Sequence, residues 1–261
     1  MPKEKIFTAI DIGSSKISTI IAAVTETKVS VIGVSGNVPS KGINKGNIVD
    51  IDKAVESIAD SVSRAERMAG ISVTDAIVTV NGSHIHSENS HGVVAVNQSD
   101  TKEITYDDVK RVIEAAQAVS LPSTREIVHV LPRDFSVDSQ EGIKDPVGMQ
   151  GTRLEVEANV IHSATIAVKN ITTCVSQVGL NVKHISFVAV SSSQAVLSDT
   201  EKDLGILLVD IGAGTTSLTA FYEGGSIFSS VIPIGGKNIT NDIAIGLRAR
   251  LEEAEKIKSI N

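Results

Sequence analysis

Apolar runs separated by turn residues open the chain. Phe7-Thr-Ala-Ile-Asp11 predicts a buried strand ending in a carboxylate and the turn Gly13-Ser14-Ser15. Ile17 to Val24 predicts a second strand directly behind it, so the pair reads as a hairpin. Val29 to Val34 is a third apolar run, and the turn-rich Pro39 to Gly46 reads as a loop. After Asp50 and Asp52, Val55, Ile58, Val62 and Ala65 recur at helical spacing, predicting an amphipathic helix closed by Gly70. Ala76 to Val80 is strand-like and runs into the polar stretch Asn81 to Gly92, followed by the apolar Val93 to Val96. Thr105-Tyr-Asp-Asp108 has the hydroxyl-then-carboxylate form of a helix cap, ahead of Val109, Val112, Ile113 and Ala116.

Ile127 to Leu131 and Asp134 to Val137 read as two short strands, and Gly142 to Gly151 as a loop. The alternation of Leu154, Val156, Ala158 and Val160 predicts a half-buried strand. Ser163 starts a helix through Val168, Ile171, Val175 and Val178 that ends near Gly179, and Val182 to Val190 gives a strand and turn. Gly205 to Asp210 then reads as a buried strand, Gly212 to Thr216 as a turn, and Leu218 to Tyr222 as the returning strand.

The composition narrows the classes open to such a chain. Its 261 residues, 41% apolar, suffice for one large or two modest domains. With 24 Lys and Arg against 31 Asp and Glu, the net charge of -7 argues against sequence-independent nucleic-acid binding. The single Cys174 cannot form an internal disulfide and reads as a buried, inert thiol, which suggests a reducing compartment. Met1 to Lys5 is polar with no secretory core behind it, and no apolar run reaches the roughly 20 residues of a bilayer span.

One motif occurs twice. Ala9-Ile-Asp11-Ile-Gly13-Ser14-Ser15 and Val209-Asp210-Ile-Gly212-Ala213-Gly214-Thr215-Thr216 each close an apolar strand and open another. A single Asp-x-Gly is ordinary turn chemistry, but two copies in this context point to facing phosphate loops. Glycines let backbone N–H groups approach an anion, and the hydroxyls of Ser14, Ser15, Thr215 and Thr216 add donors. Asp11 and Asp210 would repel phosphate directly, yet each can hold Mg2+, directly or through water, and the metal then bridges to phosphate. Lys16 sets a cation beside the first turn, suited to a distal phosphate oxygen. Neither a P-loop nor a dinucleotide-binding fingerprint occurs.

These turns resemble the phosphate-binding elements of the actin/Hsp70/sugar-kinase ATPase superfamily. The wider context, including Pro39 to Gly42, Gly46 to Asp50, His129 to Pro132, Gln140 to Gly148 and Asn241 to Ala244, is similar to the FtsA family of bacterial cell-division proteins. The resemblance implies an α/β, actin-like ATPase fold with ribonuclease H-like lobes and an inserted small α+β subdomain of the SHS2 type, called 1C. It further implies that residues 1–80 with 161–200 form subdomain 1A, 81–160 the 1C insert, 201–233 the start of 2A and 234–261 the start of 2B. On this footing 261 residues read as a C-terminally truncated fragment with an incomplete second lobe. ATP and Mg2+ are the implied cofactors.

The implied function is to tether the FtsZ ring to the cytoplasmic membrane, self-associate into filaments, and recruit later division proteins through the insert. The implied place is the inner face of the membrane at the division site, the membrane-binding helix falling outside this stretch. A small-molecule kinase on the same fold, or a nucleotide-free interaction module, are the alternatives. Phe187 to Val190 offers no carboxylate or amide where superfamily ATPases orient water, so hydrolysis is expected to be weak at most, with no catalytic residue assigned. By the same resemblance, Glu252, Glu255 and Lys256 are candidate sugar and base contacts, and Gly235 and Gly236 form a turn near the phosphates. His84, His86 and His91 cluster, but nothing completes a metal set with them and they read as polar strand positions.

Overall fold

The computed structural model describes residues 4–96 and 102–260; Met1–Lys3 of the polar start and the terminal Asn261 lie outside them. The first alternating segment forms β1 (Lys5–Ile12) and β2 (Lys16–Val24), an antiparallel hairpin whose Ile10, Ile12, Ile17 and Ile21 share one buried face. β3 (Val29–Pro39) pairs with β2 and continues past the apolar run. The expected loop behind it contains a small hairpin, β4 (Ile43–Asn44) and β5 (Asn47–Ile48). Helix α1 (Ile51–Ala69) starts where the Asp50 carboxylate accepts from Lys53 N at 3.2 Å and stops at Gly70, which is left-handed. Its Ile58, Val62 and Ala65 pack down onto β2 and β3. β6 (Asp75–Val80) lies parallel to β1.

An antiparallel layer follows: β7 (His86–Ala95), α2 (Tyr106–Ala116), β8 (Arg125–Val137), β9 (Gln140–Ile143) and β10 (Arg153–Ala164). The capping box forms as expected, Thr105 and Asp108 each satisfying the other's backbone N–H. Val112 and Ala116 of α2 close a core with Phe135, Leu154 and Val156 that is separate from the main one. Two elements differ from their sequence reading. The polar stretch after Asn81 becomes strand from His86 because its backbone pairs with β10 throughout, and Asn159 Nδ2 donates to Asn89 Oδ1 at 2.8 Å. The two short strands around Pro132 are one strand. Pro132, lacking an N–H, sits where β8 has only β10 beside it, and a bulge at that point absorbs the break in register.

β10 passes straight into α3 (Thr165–Gln177), so Ser163 lies in the strand, which ends at Ala164, and does not start the helix. β11 (Asn181–Phe187) pairs parallel with β6, giving a five-stranded sheet of order β11-β6-β1-β2-β3. Val188–Val190, read as strand and turn, begin α4 (Val188–Val196), which touches β11, β12 (Ile206–Ile211) and β13 (Thr216–Tyr222). A short α5 (Asp199–Leu204) precedes β12. β14 (Gly225–Ile232) completes an antiparallel meander and meets β7 at Ser230–His86, extending the second sheet to β12-β13-β14-β7-β10-β8-β9. α6 (Gly236–Leu247) and α7 (Leu251–Ile260) are the last elements among the described residues.

The main core lies between the five-stranded sheet and helices α1 and α3, around Ile10, Ile58, Val78, Ile171 and Phe187, with Cys174 buried in it. Burial pushes the Cys174 thiol up, as suits an inert side chain. The opposite face of that sheet, with Phe7, Ile20, Val31 and Val34, is exposed.

Candidate functional site

The two repeated turns have the same backbone construction. Gly13 N donates to Lys16 O at 3.1 Å, and Gly212 N donates to Thr215 O at 2.9 Å. Asp11 pairs across its hairpin with Ser18, and Asp210 with Ser217. The turns also touch: a Cβ on Gly214 would lie 3.2 Å from both Cβ and Oγ of Ser14, so only glycine leaves the approach unobstructed.

Asn81, at the end of β6, ties the turns from below. Its Nδ2 donates to Thr215 Oγ1 at 3.1 Å, and its Oδ1 accepts from Ser217 Oγ at 3.0 Å and from Gly82 N at 2.8 Å. Ser14 Oγ accepts from Gly46 N at 2.9 Å, and Thr216 Oγ1 donates to Ile234 O at 2.8 Å. The hydroxyls of Ser14, Thr215, Thr216 and Ser217 therefore hold the walls together.

Between the turns lies a cavity of 460 Å³, lined by Asp11, Gly13, Ser14, Ser15, Lys16, Gly46, Asn81, Val188, Asp210, Gly212, Ala213 and Thr215 among others. Thr79 Oγ1 donates to Asp11 Oδ1 at 2.7 Å and orients that carboxylate. Burial first, and the negative charge of Asp11 second, push the Asp210 carboxyl up. Two carboxylates in one enclosure make a hard, all-oxygen donor set whose charge calls for a cation, which fits Mg2+ with water ligands.

A larger chamber of 760 Å³ shares Ser15, Ile211, Gly212 and Ala213 with the first and is completed by α6 and α7. Gly235 abuts the second turn, and Gly236 N and Lys237 N donate to Gly212 O and Ala213 O at 2.9 and 2.8 Å. Gly236, Glu252, Glu255 and Lys256 line this chamber together with Lys237, Thr240 and Lys258. Glu255 is bonded by Lys258 Nζ at 2.7 Å and by the Thr240 hydroxyl, which hold its carboxyl below the usual range.

Of the site residues expected from sequence, Gly214, Thr216 and Gly235 support the walls, and the others line one chamber or both. Sequence reasoning missed Gly46, Thr79, Asn81, Lys237, Thr240 and Lys258. Only Lys237, directly after Gly235-Gly236, had a local signal. The histidines part company: His84 Nδ1 lies 2.9 Å from Ser163 Oγ, His86 packs on His162 at 6.2 Å between ring centroids, and His91 Nε2 lies 2.9 Å from Glu155. Among the described residues, no group of three or more His, Cys, Asp or Glu is placed to hold a metal ion.

The family model described as "SHS2 domain inserted in FTSA" matches residues 82–162, and that described as "Cell division protein FtsA" matches residues 207–260. Over 258 residues the chain is 45% identical to the cell division protein FtsA of Bacillus subtilis (strain 168). The chain belongs to the FtsA family. To the FtsA of Pseudomonas aeruginosa it is 42% identical over 255 residues. The matches cover 99% and 97% of the chain, but the chain spans only 58% and 60% of these two FtsA relatives.

Among solved structures, a PilM-PilN type IV pilus biogenesis complex superposes with a TM-score of 0.69 at 16% identity, covering 97% of this chain and 69% of that one. MreB5 of Spiroplasma citri, solved bound to ADP, gives 0.50 at 15% identity, covering 97% and 61%. These likenesses establish the fold, which is the actin-like ATPase fold with the FtsA family's SHS2 insert, as the sequence resemblance implied.

Proposed function

We propose that this chain carries the nucleotide cleft and partner-binding insert of a bacterial cell-division protein. It would bind ATP with Mg2+, join the FtsZ ring to the inner face of the membrane, self-associate into filaments and recruit later division proteins. The observation that carries the nucleotide reading is the pair of like-built Asp-Ile-Gly turns facing one cavity, with Asp11 and Asp210 both on its wall. Asp11 and Asp210 would hold Mg2+ through water. Gly13–Lys16 and Gly212–Thr215 would cradle the phosphates, while Glu252, Glu255 and Lys256 would meet the sugar and base. When bound, the metal would neutralise charge between phosphate oxygens.

Val188 stands on the wall of the phosphate cavity, an apolar side chain that cannot orient water. That favours nucleotide as a switch over nucleotide as fuel, and favours a switch over small-molecule phosphorylation. The division of the chain follows the same reading: 1A at 1–80 with 161–200, 1C at 81–160, and the beginnings of 2A and 2B at 201–233 and 234–261. The insert's separate core supports a second reading, an interaction module that works without nucleotide. Among the described residues no helix is long and apolar enough to cross a membrane.

Titration calorimetry of the chain with Mg2+ and ATP tests the first reading. The chain binds, and Asp210→Ala weakens that binding at least tenfold, about the worth of one charge-assisted contact. Unchanged binding by Asp210→Ala would sink the metal assignment. A wild-type chain that ignores ATP yet still binds a division partner would favour the module.

A further inference from the structure

We propose that Lys237 is a phosphate ligand dedicated to the end of the polyphosphate nearest the sugar, an inference that rests on the nucleotide reading above. Lys237 is the second residue of α6, a position where the helix dipole disfavours a cation. Its backbone N is fixed on the second turn at Ala213 O, 2.8 Å away. Its Nζ reaches across the cleft and donates to Ser14 O of the first turn at 3.0 Å. One residue thus spans both turns.

The ammonium makes no ion pair among the described residues. Glu255 feels its charge, but that carboxylate is already taken by Lys258 and Thr240. An ammonium carries three N–H donors, and Ser14 O accepts one. A positive charge kept at an unfavourable helix position without a carboxylate partner is available to an anionic ligand.

Placement decides which part of the ligand it meets. Lys16 lines the smaller chamber beside Asp11 and Asp210, whereas Lys237 lines only the larger one. A nucleotide with its sugar in the larger chamber and its metal-bound phosphates in the smaller passes through the junction at Ser15 and Ala213. Lys237 borders that junction from the sugar side. It therefore contacts the phosphate common to mono-, di- and triphosphates, and Lys16 contacts the distal ones.

Calorimetric titrations of the chain with adenosine, ADP and ATP in Mg2+ buffer separate the possibilities. Lys237→Gln weakens ADP and ATP by the same factor, about tenfold, and leaves adenosine unchanged. Lys237→Arg restores most of that loss, and Lys16→Gln weakens ATP more than ADP. Equal loss of adenosine affinity, or undiminished ADP binding by Lys237→Gln, would overturn the assignment. A wild-type chain that binds neither ADP nor ATP would bring down the nucleotide reading itself; normal binding with an indifferent Lys237→Gln overturns only this one.

Discussion

Gly46 takes a φ of +78°, and a Cβ there would lie 2.4 Å from Asn81 O. Its N–H holds the Ser14 hydroxyl, so the residue joins the β4–β5 turn to the first Asp-Ile-Gly turn. Gly46→Ala should lose about 1–3 kcal/mol of stability in urea denaturation, from backbone strain and the clash together. An unchanged midpoint would mean the turn rearranges at no cost. At this scale the sequence was legible where chemistry repeats: Asp11 and Asp210 carry the same neighbours and take up the same position in the same turn. Gly46, Thr79 and Asn81 were not legible. Each earns its place through a tertiary partner far along the chain, and an isolated Gly, Thr or Asn between strands reads as ordinary turn or strand material.

Elements followed their periodicity closely where one face is buried and one is wet. The α1 stripe, the Thr105 cap and both Asp-Ile-Gly hairpins stand where the pattern put them. β12, read as a buried strand, is a half-exposed edge strand, because among the described residues only β13 pairs with it. The misreadings came where pairing overrides side-chain pattern, as at Pro132 in β8 and in the polar half of β7. The β11–α4 junction shows a further tertiary constraint. There Phe187 N donates to His129 Nε2 at 2.9 Å, so that nitrogen must be unprotonated, and burial holds His129 below its ordinary value of 6.5. As pH falls, the unfolded chain therefore takes up this proton first. The stability His129 contributes is full above about 6.5 and is lost from there down toward its depressed folded value. Thermal melts between pH 7.5 and about 5 should show falling stability, with a shallower slope in His129→Gln. Equal slopes would remove His129 from the acid response; His84, His86 and His162, also lowered by burial, would then account for it.

Across the whole molecule, two sheets bring the two halves of one repeated sequence face to face, with α4 packed against both. The repeat was visible in sequence, and so, through the family resemblance, was the SHS2 insert. The shape of the cleft was not, because the larger chamber is built by α6 and α7 folding back onto Gly212 and Ala213. On the proposed function, both Asp-Ile-Gly turns grip a single polyphosphate. A crystal structure of the chain grown with Mg2+ and a non-hydrolysable ATP analogue tests it directly. The expected density is a triphosphate between Gly13–Lys16 and Gly212–Thr215, with a metal ion near Asp11 and Asp210. A nucleotide seated elsewhere, or phosphates touching only one of the two turns, would contradict it.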